Sequence, residues 1–198
     1  MFPLFETFKI ISGKINNLEY HQERIEYSIK LFYGKSNNNI VLKKLQLPLY
    51  DNSEILRCRF NYSYERYELN LSPYIKRNID SLKIIFDDQI MYCLKYSDRN
   101  RLNELFDLRG NCDDILICKK GLITDTSIAN VVLYDGVRFV TPRNPLLKGT
   151  YRKYLLDNGV IFEKEISIDE LSKYEYLILI NALREFDLND KIYIKDIK

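Results

Sequence analysis

The sequence predicts an α+β fold, and two observations support this. Residues 18–33 place apolar side chains at helical spacing between segments that alternate apolar and polar residues, as strands do. From residue 113 onward, short apolar runs alternate with glycine turns, which is typical of strands joined by tight connections. We therefore expect a small N-terminal α+β domain at residues 1–80 and a C-terminal strand-rich domain with helices at residues 81–198.

The N-terminal part is predicted to begin with a strand, a turn at Ser12-Gly13 and a returning strand, because a Ser-Gly pair interrupts an apolar run. The helix over residues 18–33 is expected to end at Gly34, followed by a loop at KSNNN. The residues expected on one face of this helix are Leu18, Ile25, Ile29 and Phe32.

Four further elements follow in order. Residues 40–45 suggest a second short helix, and strong alternation over residues 55–74 predicts a hairpin with its turn near residues 63–65. LKIIFDD at residues 82–88 is predicted as a strand, and residues 99–108 as a helix.

The C-terminal part is predicted to start with three short strands within residues 113–142, turning at Lys120-Gly121 and Asp135-Gly136. A helix is expected from Gly149 to near Gly159. The remaining elements are a short helix at 166–174 capped by Ser167 or Asp169, a buried strand at 174–183, and a final strand at 191–197.

Composition excludes several classes of function. The chain has 198 residues with 30 basic and 28 acidic side chains, so no charge excess indicates a nucleic-acid partner. Four cysteines without CxxC spacing and a single histidine predict no metal site and reduced thiols. The N-terminal apolar stretch contains Glu6 and lacks a basic region, so it does not predict a signal peptide. With no 18-residue apolar run, we expect a cytoplasmic protein without a membrane partner.

Four short segments supply an amine, a carboxylate, a glycine-centred turn and an amide. They are LKYSDR (94–99), ITDTSIAN (123–130), LLKGTYR (146–152) and LINAL (179–183). Proteins hold pyridoxal phosphate (PLP) with such groups: an amine forms the Schiff base, a carboxylate keeps the pyridine nitrogen protonated, and backbone N–H groups bind the phosphate.

The order and spacing of these segments resemble the class IV aminotransferases, the fold-type IV PLP enzymes, from Phe5 to about Phe186. The resemblance implies a small N-terminal α/β sandwich part and a larger strand-rich pseudo-barrel part that carries the PLP lysine. It also implies PLP as cofactor, a small amino-carboxylate substrate and a homodimer. Family members usually have an opening strand before the FET segment, whereas FET stands at residues 5–7 of this sequence. The resemblance therefore implies a pocket that is either more open or closed by a dimer partner.

The resemblance assigns roles to individual residues. Lys95 matches the Schiff-base lysine and would be the catalytic general base. Asp125 stands where the family has the glutamate beside the pyridine nitrogen, and Arg24 in HQERIEYS matches the arginine that binds the phosphate. The alternatives are a solvated lysine, a turn aspartate and a solvated helix arginine.

The phosphate turn and the last segment carry further assignments. Gly149, Thr150 and Tyr151 match the family's Gly-Ile-Thr, where Tyr151 replaces the threonine and leaves the backbone N–H groups as the expected phosphate contact. Asn181 and Ala182 resemble the lyase of the family, aminodeoxychorismate lyase, rather than its aminotransferases. The alternative for Asn181 is a turn residue bonded to its own backbone.

Cations are needed for the substrate carboxylates. Arg57 and Arg59 are two residues apart and therefore share a strand face, and Arg99, in a K-x-x-x-R-x-x-L run that again resembles the lyase, is a third candidate. Each is otherwise a surface charge.

Three functions remain open. The first is a PLP-dependent lyase that releases pyruvate and forms 4-aminobenzoate for folate synthesis. The second is a class IV aminotransferase acting on branched-chain or D-amino acids. The third is a catalytically inactive PLP-fold binding protein, suggested by Asp125 and Tyr151 standing in for the family's residues.

Overall fold

The computed structural model of the chain describes residues 2–36, 39–47 and 55–198. The chain divides into two compact units, Met1–Lys76 with Leu94–Asp98 and Arg77–Cys93 with Arg99–Lys198. The main boundary thus falls a few residues before the predicted one. The segment around Lys95 also belongs to the first unit, whereas the prediction assigned the lysine to the C-terminal domain.

Backbone pairing explains why the Lys95 segment belongs to the first unit. The carbonyl oxygen of Lys95 accepts a hydrogen bond from the Phe5 N–H at 3.0 Å, and Leu4 forms an antiparallel bridge with Tyr96. Leu94 is buried in the same apolar core as Leu4. The local sequence pattern does not reveal such long-range pairing. The prediction therefore assigned Lys95 to the C-terminal domain from its position along the chain alone.

The first unit is a helix packed on a four-stranded antiparallel sheet. Its strands are β1 (Leu4–Ile11), β2 (Lys14–Ile15), β3 (Leu56–Tyr62) and β4 (Tyr67–Pro73), in the order β2-β1-β3-β4. Its helices are α1 (Leu18–Tyr33) and a 3₁₀ turn at Leu42–Lys44. Ser12 and Gly13 have φ of 50° and 70°, the positive values that a two-residue hairpin turn requires, which confirms the predicted turn.

The predicted helix is confirmed at both ends, but its buried face differs from the prediction. Ile25 and Ile29 are buried as expected, whereas Phe32 is 44% exposed. His21 and Ser28 occupy the stripe instead. His21 turns inward because it pairs with the buried Glu6 carboxylate, a partner that apolar periodicity does not reveal. The loop predicted at KSNNN includes residues 37 and 38, which lie outside the described residues.

The second unit is built on an eight-stranded mixed sheet with two α-helices. The strands are β5 (Leu82–Phe86), β6 (Asp114–Lys119), β7 (Leu122–Thr126), β8 (Asn130–Tyr134), β9 (Phe139–Pro142), β10 (Phe162–Lys164), β11 (Tyr176–Ile180) and β12 (Lys191–Tyr193). The helices are α2 (Asn100–Asp107) and α3 (Thr150–Asp157), with 3₁₀ turns at Ile168–Lys173 and Ile194–Asp196. The sheet order is β10-β9-β8-β7-β6-β5, and β11 pairs with β8 and β12.

Two predictions for this unit need correction. Residues 113–142 contain four strands rather than three, because the chain also reverses at residues 127–129 without glycine or proline. There the Thr126 hydroxyl oxygen accepts hydrogen bonds from the N–H groups of Ile128 and Ala129, which closes a turn by side-chain bonding. The predicted final strand covers only β12, after which the chain forms a 3₁₀ turn.

The predicted buried strand is confirmed as β11, which is apolar along its whole length because the sheet is covered on both faces. Leu177 and Leu179 join one apolar core, whereas Ile178 and Ile180 join the core beside α3. Together with the helices of both units, this confirms the α+β class. Among the described residues, no helix is long and apolar enough to cross a membrane.

Candidate active site

Asp125 and Asn130 form a buried pair at the adjoining ends of β7 and β8, where they are register partners. Asn130 Nδ2 donates to Asp125 Oδ1 at 2.7 Å, and the Leu147 N–H donates to Asp125 Oδ2 at 2.9 Å. Burial raises the pKa of Asp125 to about 6, and these hydrogen bonds with the Arg152 charge offset only part of that effect. Asp125 is therefore a carboxyl group whose ionisation a nearby cation would favour.

Gly149 precedes α3 and touches the same pair. A Cβ atom added at Gly149 would lie 2.0 Å from Asn130 Oδ1, well inside van der Waals contact. No side chain caps the helix, since Gly149 is the residue at the N-cap. The first N–H groups of a helix lack intrahelical acceptors and attract anions, so this end of α3 can bind a phosphate group.

Thr150 and Tyr151 open the helix and are both buried. The Tyr151 hydroxyl oxygen accepts a hydrogen bond from the Phe186 N–H at 3.1 Å, and its ring lies in the core beside Leu155. This supports the expectation that the first turn of α3 would offer an anion its backbone N–H groups rather than the Tyr151 hydroxyl.

Asn181 and Arg99 both attach to the turn between β7 and β8. Asn181 Nδ2 donates to the Ile128 carbonyl at 3.1 Å, while its Oδ1 accepts from the N–H groups of Leu183 and Arg184. Arg99 Nη2 donates to the Ser127 carbonyl at 2.7 Å. These bonds favour a structural role for both side chains and bring segments 123–130 and 179–183 together with Arg99. The hydrogen bond from the Leu147 N–H to Asp125 adds segment 146–152. Ala182 follows in the Asn181 turn and is partly exposed.

The groups gathered in the second unit fit PLP by the chemistry of their donors. The buried Asp125 carboxylate accepts hydrogen bonds from two neutral donors, the Asn130 amide and the Leu147 N–H. The N–H of a pyridinium ring would add a charged donor. The uncapped start of α3 suits the phosphate, and Asn130 connects the two.

Lys95 lies in the first unit beside Phe5. Its Nζ atom is 4.7 Å from the centroid of the Phe5 ring, and the guanidinium carbon of Arg59 is 3.9 Å from the same centroid. The face of an aromatic ring attracts cations, so Phe5 brings Lys95 and Arg59 into one group. Arg59 Nε also donates to Asn61 Oδ1 at 2.9 Å. Arg57 alternates with the buried residues of β3 as Arg59 does, which confirms that the two arginines share a face.

Arg24 forms a buried cluster with Glu6 and His21 in the first unit. Arg24 Nε donates to Glu6 Oε1 at 2.7 Å, Arg24 Nη2 donates to Glu6 Oε2, and His21 Nδ1 lies 2.8 Å from Glu6 Oε2. Burial would raise the pKa of Glu6, but the Arg24 charge and the hydrogen bonds from His21 and Arg24 lower it to about 2. The guanidinium of Arg24 is thus fixed by Glu6, and its contact with a phosphate stays a prediction.

Sequence reasoning missed two residues of these groups, Asn130 and Glu6. Asn130 stands inside the segment ITDTSIAN, five positions after Asp125, and the pairing of β7 with β8 brings the two side chains together. Glu6 was noticed only as a charge inside an apolar stretch. A carboxylate at an inward position of a strand is a usable signal, because a buried charge requires a partner.

Comparisons of the sequence and the fold with known proteins find PLP-dependent enzymes. The family model described as amino-transferase class IV matches residues 94–186. An uncharacterized protein of Haemophilus influenzae is 40% identical over 185 residues, covering 92% of this chain and 98% of that protein. The crystal structure of a putative 4-amino-4-deoxychorismate lyase from Haemophilus somnus 129pt is 36% identical, has a TM-score of 0.82, and is covered over 98% of its length by 94% of this chain.

A more distant structure agrees in fold alone. A putative amino-acid aminotransferase from Mesorhizobium loti has a TM-score of 0.74 and 21% identity, with 100% of this chain matching 99% of that one. The matches over nearly the whole chain at more than 30% identity establish the family, and its chemistry agrees with the donors found in the second unit. The chain therefore belongs to the class IV aminotransferases, the fold-type IV PLP-dependent enzymes.

Proposed function

We propose that this protein is an aminodeoxychorismate lyase, which releases pyruvate and forms 4-aminobenzoate for folate synthesis. The observation that carries the proposal is the 36% identity with the putative 4-amino-4-deoxychorismate lyase of Haemophilus somnus across 94% of this chain. The proposal includes a homodimer, as the family resemblance implies.

The residues have distinct roles in this proposal. When bound, PLP supplies an electron sink for the carbon that bears the substrate amine. Lys95 removes the proton from that carbon and then donates a proton as pyruvate leaves and the ring becomes aromatic. The Asp125 carboxylate keeps the ring nitrogen of the cofactor protonated, since a buried negative charge favours the pyridinium form.

Substrate carboxylates are proposed to bind at the face of β3 that carries Arg57 and Arg59. Arg59 supports this best, because it and Lys95 lie against the same Phe5 ring within the first unit. A guanidinium fork suits a carboxylate geometrically. Arg99 is the weaker candidate, since its guanidinium is bonded to the Ser127 carbonyl.

A product assay separates the lyase from the aminotransferase. With aminodeoxychorismate and PLP, we expect 4-aminobenzoate and pyruvate to form in equal amounts without any added keto acid. The alternative, a class IV aminotransferase, is favoured by the description of the family that matches residues 94–186. Amino transfer from branched-chain or D-amino acids to a keto acid, with no 4-aminobenzoate formed, would reject the lyase in favour of that alternative.

The buried Asp125 carboxyl predicts a specific pH dependence of stability in the cofactor-free protein. The folded-state pKa of Asp125, about 6, lies above its ordinary value of 3.8, so its contribution is fully present below pH 3.8 and is lost as the pH rises through about 6. At about 1.4 kcal/mol per pKa unit, the loss amounts to about 3 kcal/mol. The variant Asp125→Asn lacks this loss.

Urea unfolding of both proteins between pH 4 and 7 checks this prediction. The variant should gain stability relative to the wild type as the pH rises, whatever constant offset the altered hydrogen bonds produce. We also expect the turnover of Asp125→Asn with PLP to fall roughly 10²-fold, because the pyridinium nitrogen would lose its negative partner. A stability difference that does not change with pH would contradict the assignment of a raised pKa to Asp125.

A further inference from the structure

We propose that Asn130 is a positioning residue that ties the carboxylate of Asp125 to the phosphate turn at Gly149, and that residue 149 is glycine because of Asn130. The inference rests on the proposed roles of Asp125 and the start of α3 toward PLP. It adds a role for Asn130 and a steric reason for Gly149, neither of which follows from the motifs alone.

The side chain of Asn130 is fixed by two acceptors. Its Nδ2 donates to Asp125 Oδ1 at 2.7 Å and to the Leu147 carbonyl oxygen at 2.8 Å. The Leu147 carbonyl accepts only, and so does Asp125 when it is ionised, so the amide nitrogen faces them and the amide oxygen points the other way. Asn130 is 5% exposed, so an amide turned away from these acceptors would find little water to replace the lost hydrogen bonds.

The amide oxygen of Asn130 faces Gly149. The backbone of Gly149 has φ −66° and ψ 143°, an extended conformation that any residue adopts, so no backbone strain requires glycine here. The requirement is steric, since a Cβ would lie 2.0 Å from Oδ1 and 3.2 Å from Cγ of Asn130. Relieving that overlap would move Asn130 and break its bonds to Asp125 and to Leu147.

One amide therefore sets two contacts of the cofactor. Asn130 orients the carboxylate that would hold the ring nitrogen of PLP, and it allows the start of α3 to lie against β8 only when residue 149 lacks a side chain. The Leu147 N–H, which donates to the other oxygen of Asp125, fastens the same loop at a second point. A different explanation of the glycine is that the phosphate itself must approach the backbone closely, in which case Asn130 would be irrelevant to it.

A double-mutant cycle distinguishes the two explanations. The proteins are the wild type, Asn130→Ala, Gly149→Ala and the double variant, with Asn158→Ala as a matched control because Asn158 is an exposed asparagine beyond the other end of α3. The readouts are the dissociation constant of PLP, from titration of its absorbance, and the thermal midpoint of the cofactor-free proteins.

We expect Gly149→Ala alone to weaken PLP binding about tenfold or more and to lower the thermal midpoint. In the Asn130→Ala background, the same change should cost less than about twofold, because the alanine no longer meets an amide. Asn158→Ala should leave PLP binding unchanged and lower the thermal midpoint only by the loss of its hydrogen bond to the Tyr154 carbonyl.

The possible outcomes separate this inference from the proposed function. Additive effects of the two changes on the thermal midpoint would overturn the steric relation, and this arm needs no PLP. Coupling in the thermal midpoint with additive effects on PLP affinity would overturn the positioning role. If the wild type does not bind PLP at all, the proposed function fails, while the thermal cycle still decides whether Asn130 dictates the glycine.

Discussion

Replacing Lys95 with alanine is expected to abolish the absorbance band of protein-linked PLP and to reduce turnover roughly 10²- to 10⁴-fold, the range for the loss of a positioned general base. The reason is chemical, because Lys95 supplies both the amine that joins the cofactor and the base that moves the proton. Lys95→Arg should not restore activity, since an arginine keeps its proton at working pH.

The matched control for Lys95 is Lys35, which lies 4.0 Å from the centroid of the Tyr64 ring in the same unit, much as Lys95 lies against Phe5. Lys35→Ala removes an equivalent cation–π contact and should leave the band and the turnover unchanged. Absorbance spectra and single-turnover rates of the three variants test the assignment. A Lys95→Ala protein that keeps the band would show that another amine holds the cofactor.

The second large effect concerns stability and involves Glu6. Glu6→Gln keeps the size of the side chain but removes the buried carboxylate charge that pairs with the Arg24 guanidinium, which is 12% exposed. Removing one member of a buried ion pair typically costs about 3–5 kcal/mol, and we expect a loss in that range by urea unfolding at pH 7. Glu19→Gln, which removes an exposed pair with Lys43, should cost at most about 1 kcal/mol.

The stability that Glu6 provides should decrease in acid. The folded pKa of Glu6, about 2, lies below its ordinary value of 4.5, so its stabilisation is present above pH 4.5 and is lost as the pH falls through about 2. At about 1.4 kcal/mol per pKa unit, the wild type should lose about 3 kcal/mol over this window. Burial lowers the pKa of His21, which also favours unfolding in acid, but from pH 6.5 downward.

Glu6→Gln should remove the part of the acid loss that falls below pH 4.5. Unfolding curves at several pH values for wild type and variant make the comparison. If both proteins lose stability equally between pH 4.5 and 2, Glu6 is not the group responsible.

Local pattern was sufficient for much of the secondary structure. The helix at 18–33 and the hairpin in residues 55–74 were predicted closely, because periodicity, Gly34 and the Ser12-Gly13 turn are encoded by neighbouring residues. The reversal at residues 127–129 was not predicted, since a threonine side chain closes it in place of a glycine or proline. The exposed position of Phe32 was also missed, since apolar spacing alone does not tell which side chains of α1 are covered.

The candidate site was predicted as a set of residues and not as an arrangement. Lys95, Asp125 and Gly149 were selected from motif order, and their roles toward the cofactor stay predictions. Their partners were not predicted, because the carboxylate of Glu6 and the amide of Asn130 reach Arg24 and Asp125 only after strands have paired. The same holds for Arg99, whose bond to the Ser127 carbonyl was not predicted from the sequence.

The sequence by itself determined most of the elements, the family and the chemistry of the candidate residues, because spacing, turn residues and motif order are properties of the chain. Only the tertiary structure decided which groups are buried, which hydrogen bonds hold them and how their pKa values shift. The raised pKa of Asp125 follows from burial, and the glycine at position 149 follows from the amide of Asn130. Both effects arise from atoms that are distant in sequence and adjacent in space, so only the folded chain produces them.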